Sequence, residues 1–197
     1  MKSLFIGTRI EALEKLEEFT DVINIITTKD SFVDNKKSKK TIVNINNKDY
    51  INSVISKTNA ELIFSAGYPY ILPKNIISID KIFINSHPSY LPHYKGRECI
   101  KRAYLNNEKN YGCTLHYMSE KVDEGKIIYQ SKFPLNGRSL YELYEYMFSK
   151  CEVDVVQQGL KKILFSARET SKTLSAISAF LNSPCTVKIW QPVISSS

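Results

Sequence analysis

Residues 84–96 read Ile84-Asn85-Ser86-His87-Pro88-Ser89-Tyr90-Leu91-Pro92-His93-Tyr94-Lys95-Gly96. The apolar run Ile82-Phe83-Ile84 ends at Asn85 as a buried strand would, and two prolines and a glycine then hold the chain out of regular structure. Two apart on extended backbone, the Asn85 amide and the His87 imidazole point the same way. A second polar segment, Val122-Asp123-Glu124-Gly125-Lys126-Ile127, reads as a turn that opens a strand. An amide, an imidazole and a carboxylate suit the transfer of an acyl group to an amine. Attack on a carbonyl carbon makes a tetrahedral intermediate with charge on the former carbonyl oxygen, and each donor already aimed at it is worth about 3–4 kcal/mol of barrier. Asn85 and His87 can be those donors. The attacking nitrogen must also lose a proton and the leaving group gain one, a transfer that Asp123 can relay through His87 or a water. Such chemistry requires neither a covalent enzyme intermediate nor a metal. Each residue also has a plainer reading, because a lone histidine at a strand end is more often structural than catalytic.

Four short motifs occur in order: Asn85-x-His87-Pro88-Ser89, Leu91-Pro92-x-Tyr94-x-Gly96, Gly112-x-Thr114-x-His116 and Asp123-x-Gly125-x-Ile127. Any one of them is weak; as an ordered set they resemble the folate-dependent formyltransferase family. That family includes the glycinamide ribonucleotide, methionyl-tRNA and nucleotide-sugar amine transformylases. The resemblance covers roughly residues 60–135 closely and the preceding half in general pattern. It implies 10-formyltetrahydrofolate as formyl donor, Asn85, His87 and Asp123 as the catalytic set, and a supporting role for His116. It also implies a folate site at Tyr70, Ile71 and Leu72, in the loop Ala66-Gly67-Tyr68-Pro69-Tyr70-Ile71-Leu72-Pro73, together with Val122 and Gly125. The other reading of that loop is a core-facing strand-to-helix connection.

The elements that must position these residues alternate in the manner of an α/β protein. Ser3 to Ile6, Val22 to Ile26, Ile42 to Ile45, Leu62 to Ser65 and Ile82 to Asn85 read as strands. Ile10 to Phe19 carries apolar residues on one helical face, and Asp49 to Thr58 reads as a second helix. The pattern predicts a Rossmann-like, mostly parallel twisted sheet with helices on both faces and ligands beyond the carboxyl ends of the strands. A helix over 97–107, an antiparallel pair over 112–117 and 126–133, and a long helix from the N-cap Ser139 to about Leu164 complete a catalytic domain of residues 1–166. Residues 167–197 read as a tail, with Leu174, Ile177 and Phe180 spaced for a short amphipathic helix, breaks at Pro184 and Pro192, and a frayed Ser195-Ser196-Ser197.

A chain of 197 residues with a net charge of +7 and scattered cysteines (Cys99, Cys113, Cys151, Cys185) reads as an ordinary reduced, cytoplasmic globular protein. The short apolar start before Arg9 is too brief for a signal peptide or a membrane span. Its cysteine spacing offers no metal or disulfide pattern. Basic charge favours an anionic partner. The cluster Lys36, Lys37, Lys39 and Lys40 lacks interleaved aromatic residues, however, so it reads as a solvated loop and not as a nucleic-acid site.

The resemblance leaves the acceptor amine open. Purine-pathway members have a glycine- and serine-rich turn after the first strand, where this chain has Gly7-Thr8-Arg9-Ile10. Methionyl-tRNA members usually add a carboxyl-terminal β-barrel, for which residues 167–197 are too few. The expectation that remains is a small-molecule amine on a nucleotide-linked amino sugar, with Tyr90, Tyr94 and Arg97 as its binding residues and the tyrosines Tyr68, Tyr70, Tyr90 and Tyr94 near the cleft suited to its base and pyrophosphate. Other amines, and a non-catalytic folate-binding module, stay open. So does a homodimer, since the apolar stripe of the tail suits either its own domain or a partner.

Overall fold

The computed structural model describes residues 1–29, 31, 33, 41–42 and 47–181, with backbone only for 41–42, 171, 174 and 176–181. The lysine cluster at 36–40, the later part of the strand expected over 42–45, Cys185 and the breaks at Pro184 and Pro192 lie outside the described residues, as does the expected fraying of 195–197.

Seven strands form one sheet: β1 (Lys2–Gly7), β2 (Asp21–Thr27), β3 (Thr41–Ile42), β4 (Leu62–Ala66), β5 (Ile82–His87), β6 (Asn110–Tyr117) and β7 (Ile127–Pro134). Their order is β3-β2-β1-β4-β5-β6-β7. The first five are parallel neighbours, whereas β6 runs antiparallel to both β5 and β7. Chain order reverses between β1 and β4, which opens a crevice at their carboxyl ends. The mostly parallel α/β class read from the sequence is therefore the observed one.

Alternation along the strands divides the core into two layers. Phe5, Phe64 and Ile84 pack on one face, with α1 (Ile10–Glu17), α4 (Cys99–Leu105) and the long helix of the second half. Leu4, Ile6, Ile63 and Phe83 pack on the other, with α2 (Lys48–Lys57) and the short α3 (Lys74–Ile77). β1, β4 and β5 read as near-continuous apolar runs because strands covered on both faces have no wet side.

Three boundaries differ from the sequence reading. α4 starts at Cys99 because Gly96 and Glu98 both have positive φ, 76° and 57°, so the loop continues past Arg97. α3 was not anticipated; it is a single four-residue turn behind Pro73. From Ser139, which makes a full capping box with Glu142, the chain is helical through to Leu181: α5 (Leu140–Tyr146), a π-helical stretch (Met147–Glu152) and α6 (Val153–Leu181). No proline or glycine falls between Gly159 and Pro184, so nothing stops the helix at Leu164 even where the apolar pattern thins. The chain divides into two compact units, Met1–Ile163 and Leu164–Ser197. Among the described residues no helix is long and apolar enough to cross a membrane.

Candidate active site

β5 delivers Asn85 and His87 to one face of the sheet and Ser86 to the other, as alternation requires. Antiparallel pairing sets Asn85 directly opposite His116 on β6, close enough for their side chains to meet. The His116 ring is 2.8 Å from the Tyr117 carbonyl through Nδ1 and 3.2 Å from Asn85 Nδ2 through Nε2. Nδ1 therefore donates to the carbonyl, and Nε2 accepts from the amide. Burial favours that neutral ring by pulling the His116 pKa below its ordinary value, against the opposing pull of the Tyr117 carbonyl and Asp123. With its nitrogen fixed in this way, the Asn85 amide keeps a second N–H free of His116.

His87 is buried, and its Nε2 donates to the Tyr94 carbonyl at 3.0 Å. Nδ1 lies 3.5 Å from Asp123 Oδ2, and the other carboxylate oxygen lies 3.6 Å from His116 Nε2. Asp123 thus stands between two imidazoles. Its Oδ2 also accepts from the Gly96 N–H at 2.8 Å, so the second motif clamps the fourth. Asp123 sits in the left-handed region (φ 56°), which short Asp side chains tolerate better than most. The turn that carries it approaches β6 so closely that a Cβ on Gly125 would fall 1.6 Å from the Tyr117 carbonyl oxygen. Gly125 is needed for that approach.

These groups open on a cavity of about 550 Å³ that runs along the carboxyl edge of the sheet, a size ordinary for a small-molecule site. Asn85, His87, His116 and Asp123 line it, and Tyr70, Ile71, Leu72, Val122 and Arg97 line it as well. Three residues expected at the site lie elsewhere. Gly125 stands behind the Asp123 turn. Tyr90 packs over Gly112 and beneath the Lys132 ammonium, 3.9 Å from its ring centroid. Tyr94 turns its hydroxyl to Glu108 and Asn106 beyond α4, and only its carbonyl serves the site. The tyrosines that do face the cavity, Tyr68 and Tyr70, pack edge to face in the loop after β4.

The sequence reading passed over a second polar group. On the opposite face of β5, the Ser86 hydroxyl donates to Glu152 Oε1 at 2.7 Å, and Glu152 is fully buried. Burial lifts its carboxyl above the ordinary range, while Arg9 and Ser86 oppose the rise. Arg9, in the turn after β1, has Nη1 3.5 Å from Glu152 Oε2 and its guanidinium 3.4 Å from the Phe148 ring centroid. Arg9 also lines the cavity. A signal was available: Glu152 lies four residues after Phe148 and three before Val155, on the apolar stripe of its helix, where an unpaired charge is costly.

The fold agrees with that of the relatives. A sequence model of the formyl transferase family matches residues 2–155, and the chain belongs to that family. It is 31% identical over 154 residues to a methionyl-tRNA formyltransferase of Listeria welshimeri, covering 68% of this chain and 49% of that protein. It is 38% identical over 104 residues to the bifunctional polymyxin resistance protein ArnA of Wigglesworthia glossinidia brevipalpis, covering 50% of this chain and 16% of that protein. The chain thus spans about half the length of the first of these and a small part of the second. Among solved structures, phosphoribosylglycinamide formyltransferase of Bacillus halodurans superposes with a TM-score of 0.74 at 20% identity, over 85% of this chain and 97% of that one. The corresponding protein of Anaplasma phagocytophilum gives 0.70 at 26% identity, over 81% and 84%.

Proposed function

We propose that the protein moves a formyl group from 10-formyltetrahydrofolate to a primary amine, with Asn85, His87 and Asp123 as its catalytic residues. The observation that carries this reading is the convergence of those three side chains at one cavity. The amine attacks the formyl carbon directly, a new C–N bond forms, and the bond to the folate nitrogen breaks. Asn85, through the N–H that His116 leaves free, stabilises the charge that develops on the formyl oxygen, and His87, whose Nδ1 faces Asp123, adds to it when that nitrogen carries a proton. Asp123 takes the proton lost by the amine, and the departing folate nitrogen gains one.

The cavity wall suits the pterin of such a donor. Ile71 and Val122 are 69% and 45% exposed beside Tyr70 and Leu72, and apolar side chains this open at a cavity mouth fit a flat heteroaromatic partner. No step is assigned to a metal. For the acceptor we favour the amino group of a nucleotide-linked amino-deoxy sugar. Support comes from two arginines on the cavity lining, Arg9 and Arg97, and from a turn after β1 that lacks a run of glycines for backbone capture of a phosphate.

The test is incubation with 10-formyltetrahydrofolate and a panel of amino-sugar nucleotides, with glycinamide ribonucleotide alongside, read by mass spectrometry. A sugar product heavier by one formyl group is expected. Formylation of another amine alone would replace the acceptor, and no product with any amine would remove the transfer reading.

A further inference from the structure

We propose that Tyr94, Arg102 and Glu108 are positioning residues: contacts made outside the cavity set the backbone of residues 94–96, and through it the tautomer and aim of His87. The assignment of His87 to the reaction rests on the formyl-transfer reading; the link between the two places rests on geometry.

The segment 94–96 meets both members of the His87–Asp123 pair through backbone atoms. The Tyr94 carbonyl accepts from His87 Nε2 at 3.0 Å, and the Gly96 N–H donates to Asp123 Oδ2 at 2.8 Å. A carbonyl only accepts, so it keeps a proton on Nε2 in either charge state and leaves Nδ1 as the nitrogen that gains and releases one. Nδ1 is the atom that faces Asp123, 3.5 Å away. Were the carbonyl to move, the neutral ring could carry its proton on Nδ1 instead. That nitrogen would then have no lone pair for a proton from the reaction.

The chain does not fall into this backbone shape unaided. Tyr94, Gly96 and Glu98 alternate in the left-handed region, at φ 56°, 76° and 57°. Glycine adopts it freely, whereas a tyrosine does so at a cost and only where its surroundings hold it. What holds Tyr94 lies at the far end of α4. Its hydroxyl donates to Glu108 Oε1 at 2.6 Å and accepts from Asn106 Nδ2 at 3.0 Å. The bond to Glu108 raises the Tyr94 pKa, against the pull of Asn106, so the hydroxyl keeps the proton it donates. Arg102, on α4, has its guanidinium carbon 5.7 Å from the Tyr94 ring centroid and donates from Nη2 to the Lys95 carbonyl. Ring and following peptide are therefore both tied to the helix.

Arg102, Asn106 and Glu108 are exposed, where polar contacts add little to stability. They converge on a tyrosine of costly backbone shape whose carbonyl ends on the buried His87 ring. Aiming that ring accounts for the arrangement, and fastening a helix end does not.

The experiment joins kinetics, with the amine that wild type formylates, to NMR of imidazole nitrogens in the whole chain labelled at its three histidines. His93→Gln and His116→Gln assign the signals. Wild type should show His87 with its proton on Nε2 alone. Glu108→Ala should show both tautomers and lose about 10-fold in kcat, the shift that one hydrogen bond to a charged group sets. KM for 10-formyltetrahydrofolate and the urea midpoint should change little. Tyr94→Phe should match it, and Arg102→Met should move both readouts in the same direction. Glu108→Gln keeps an acceptor for the hydroxyl and should restore the wild-type tautomer and rate. If Tyr94→Phe fails to fold, the two surface positions carry the test. An unaltered His87 tautomer in every variant, a kcat loss that follows loss of stability, or a Glu108→Gln no better than Glu108→Ala would overturn the proposal. Tautomer shifts in a protein that formylates no amine would leave the link standing and remove the transfer reading alone. Formyl transfer with rate and tautomer untouched in the variants would remove the positioning role alone.

Discussion

Strand β5 carries two polar clusters on its opposite faces, and they are built to different rules. On one face Asn85, His87, His116 and Asp123 are tied to one another and to backbone groups at Tyr94, Gly96 and Tyr117. On the other, Ser86, Glu152 and Arg9 leave two buried polar atoms without a hydrogen bond among the described residues. A network with its partners in place holds side chains still, which stabilising a developing charge requires. An incompletely bonded one carries the cost of burying polar atoms whose partners are only loosely in place. One strand thus supports a fixed reaction centre and an unsaturated charge, separated by a single residue of alternation.

The largest expected effect falls on the first cluster. Asp123→Asn should preserve folding and folate binding and lower the transfer rate by a factor on the order of 10² to 10⁴; equal rates in single-turnover assays would break the assignment. Asn85→Ala should cost about 10²- to 10³-fold in kcat, the usual loss for one donor to a developing oxyanion. Gly125→Ala tests the support of that cluster, because its Cβ must displace the Tyr117 carbonyl. A loss of about 1–3 kcal/mol in urea denaturation, together with lower activity, is expected.

The second cluster should behave in the opposite way under paired substitution. Arg9→Met leaves Glu152 buried without its cation and should destabilise, whereas Arg9→Met/Glu152→Met should recover most of the loss, since apolar replacement of a buried ion pair is often neutral or better. A double variant less stable than the single one would show that the pair is a structural necessity.

The smallest effect is in the pH dependence, where the clusters differ in sign. His116 has a folded pKa below 6.5, so the unfolded chain binds more protons just below that pH and stability falls on acidification through the window. Glu152 has a folded pKa above 4.5, so the folded chain binds more protons there and stability falls as pH rises from 4.5 towards the folded value. The advantage of Glu152→Gln over wild type should therefore grow with pH above 4.5, and that of His116→Gln should grow below 6.5. Denaturation midpoints across pH 4 to 8 would check both.

The difference between the clusters also explains what the sequence revealed. The Asn85 cluster comes from segments that announce themselves: an apolar run ending at Asn85, prolines that stop it, and an Asp-x-Gly turn. Strand alternation alone brings Asn85 and His87 to one side. The Arg9 cluster joins a turn near the amino terminus to a helix some 140 residues later, and no local pattern links them. Only the charge of Glu152 on an apolar stripe hinted at a buried partner. Tyr90 and Tyr94 show the same limit from the other side. Their proximity to His87 in sequence was legible, but the irregular loop that aims Tyr90 over Gly112 and Tyr94 towards Glu108 has no periodicity to read.

The π-helical stretch at Met147–Glu152 has a consequence for the whole second half of the sheet. An α-helix turns about 100° per residue, so one extra residue would swing everything beyond it to a new side. Here the wider turn absorbs that residue, and Leu143 before it and Met147 at its start keep the same inward direction as Val155, Leu160 and Ile163 after it. The stretch acts as a phase corrector, letting one helix meet two stretches of a twisting surface. Shortening it by one residue would leave a more regular helix and a misdirected one: Gly159 would rotate away from Leu115, against which a Cβ would stand only 2.3 Å from Cδ2, and Glu152 would lose its line to Ser86.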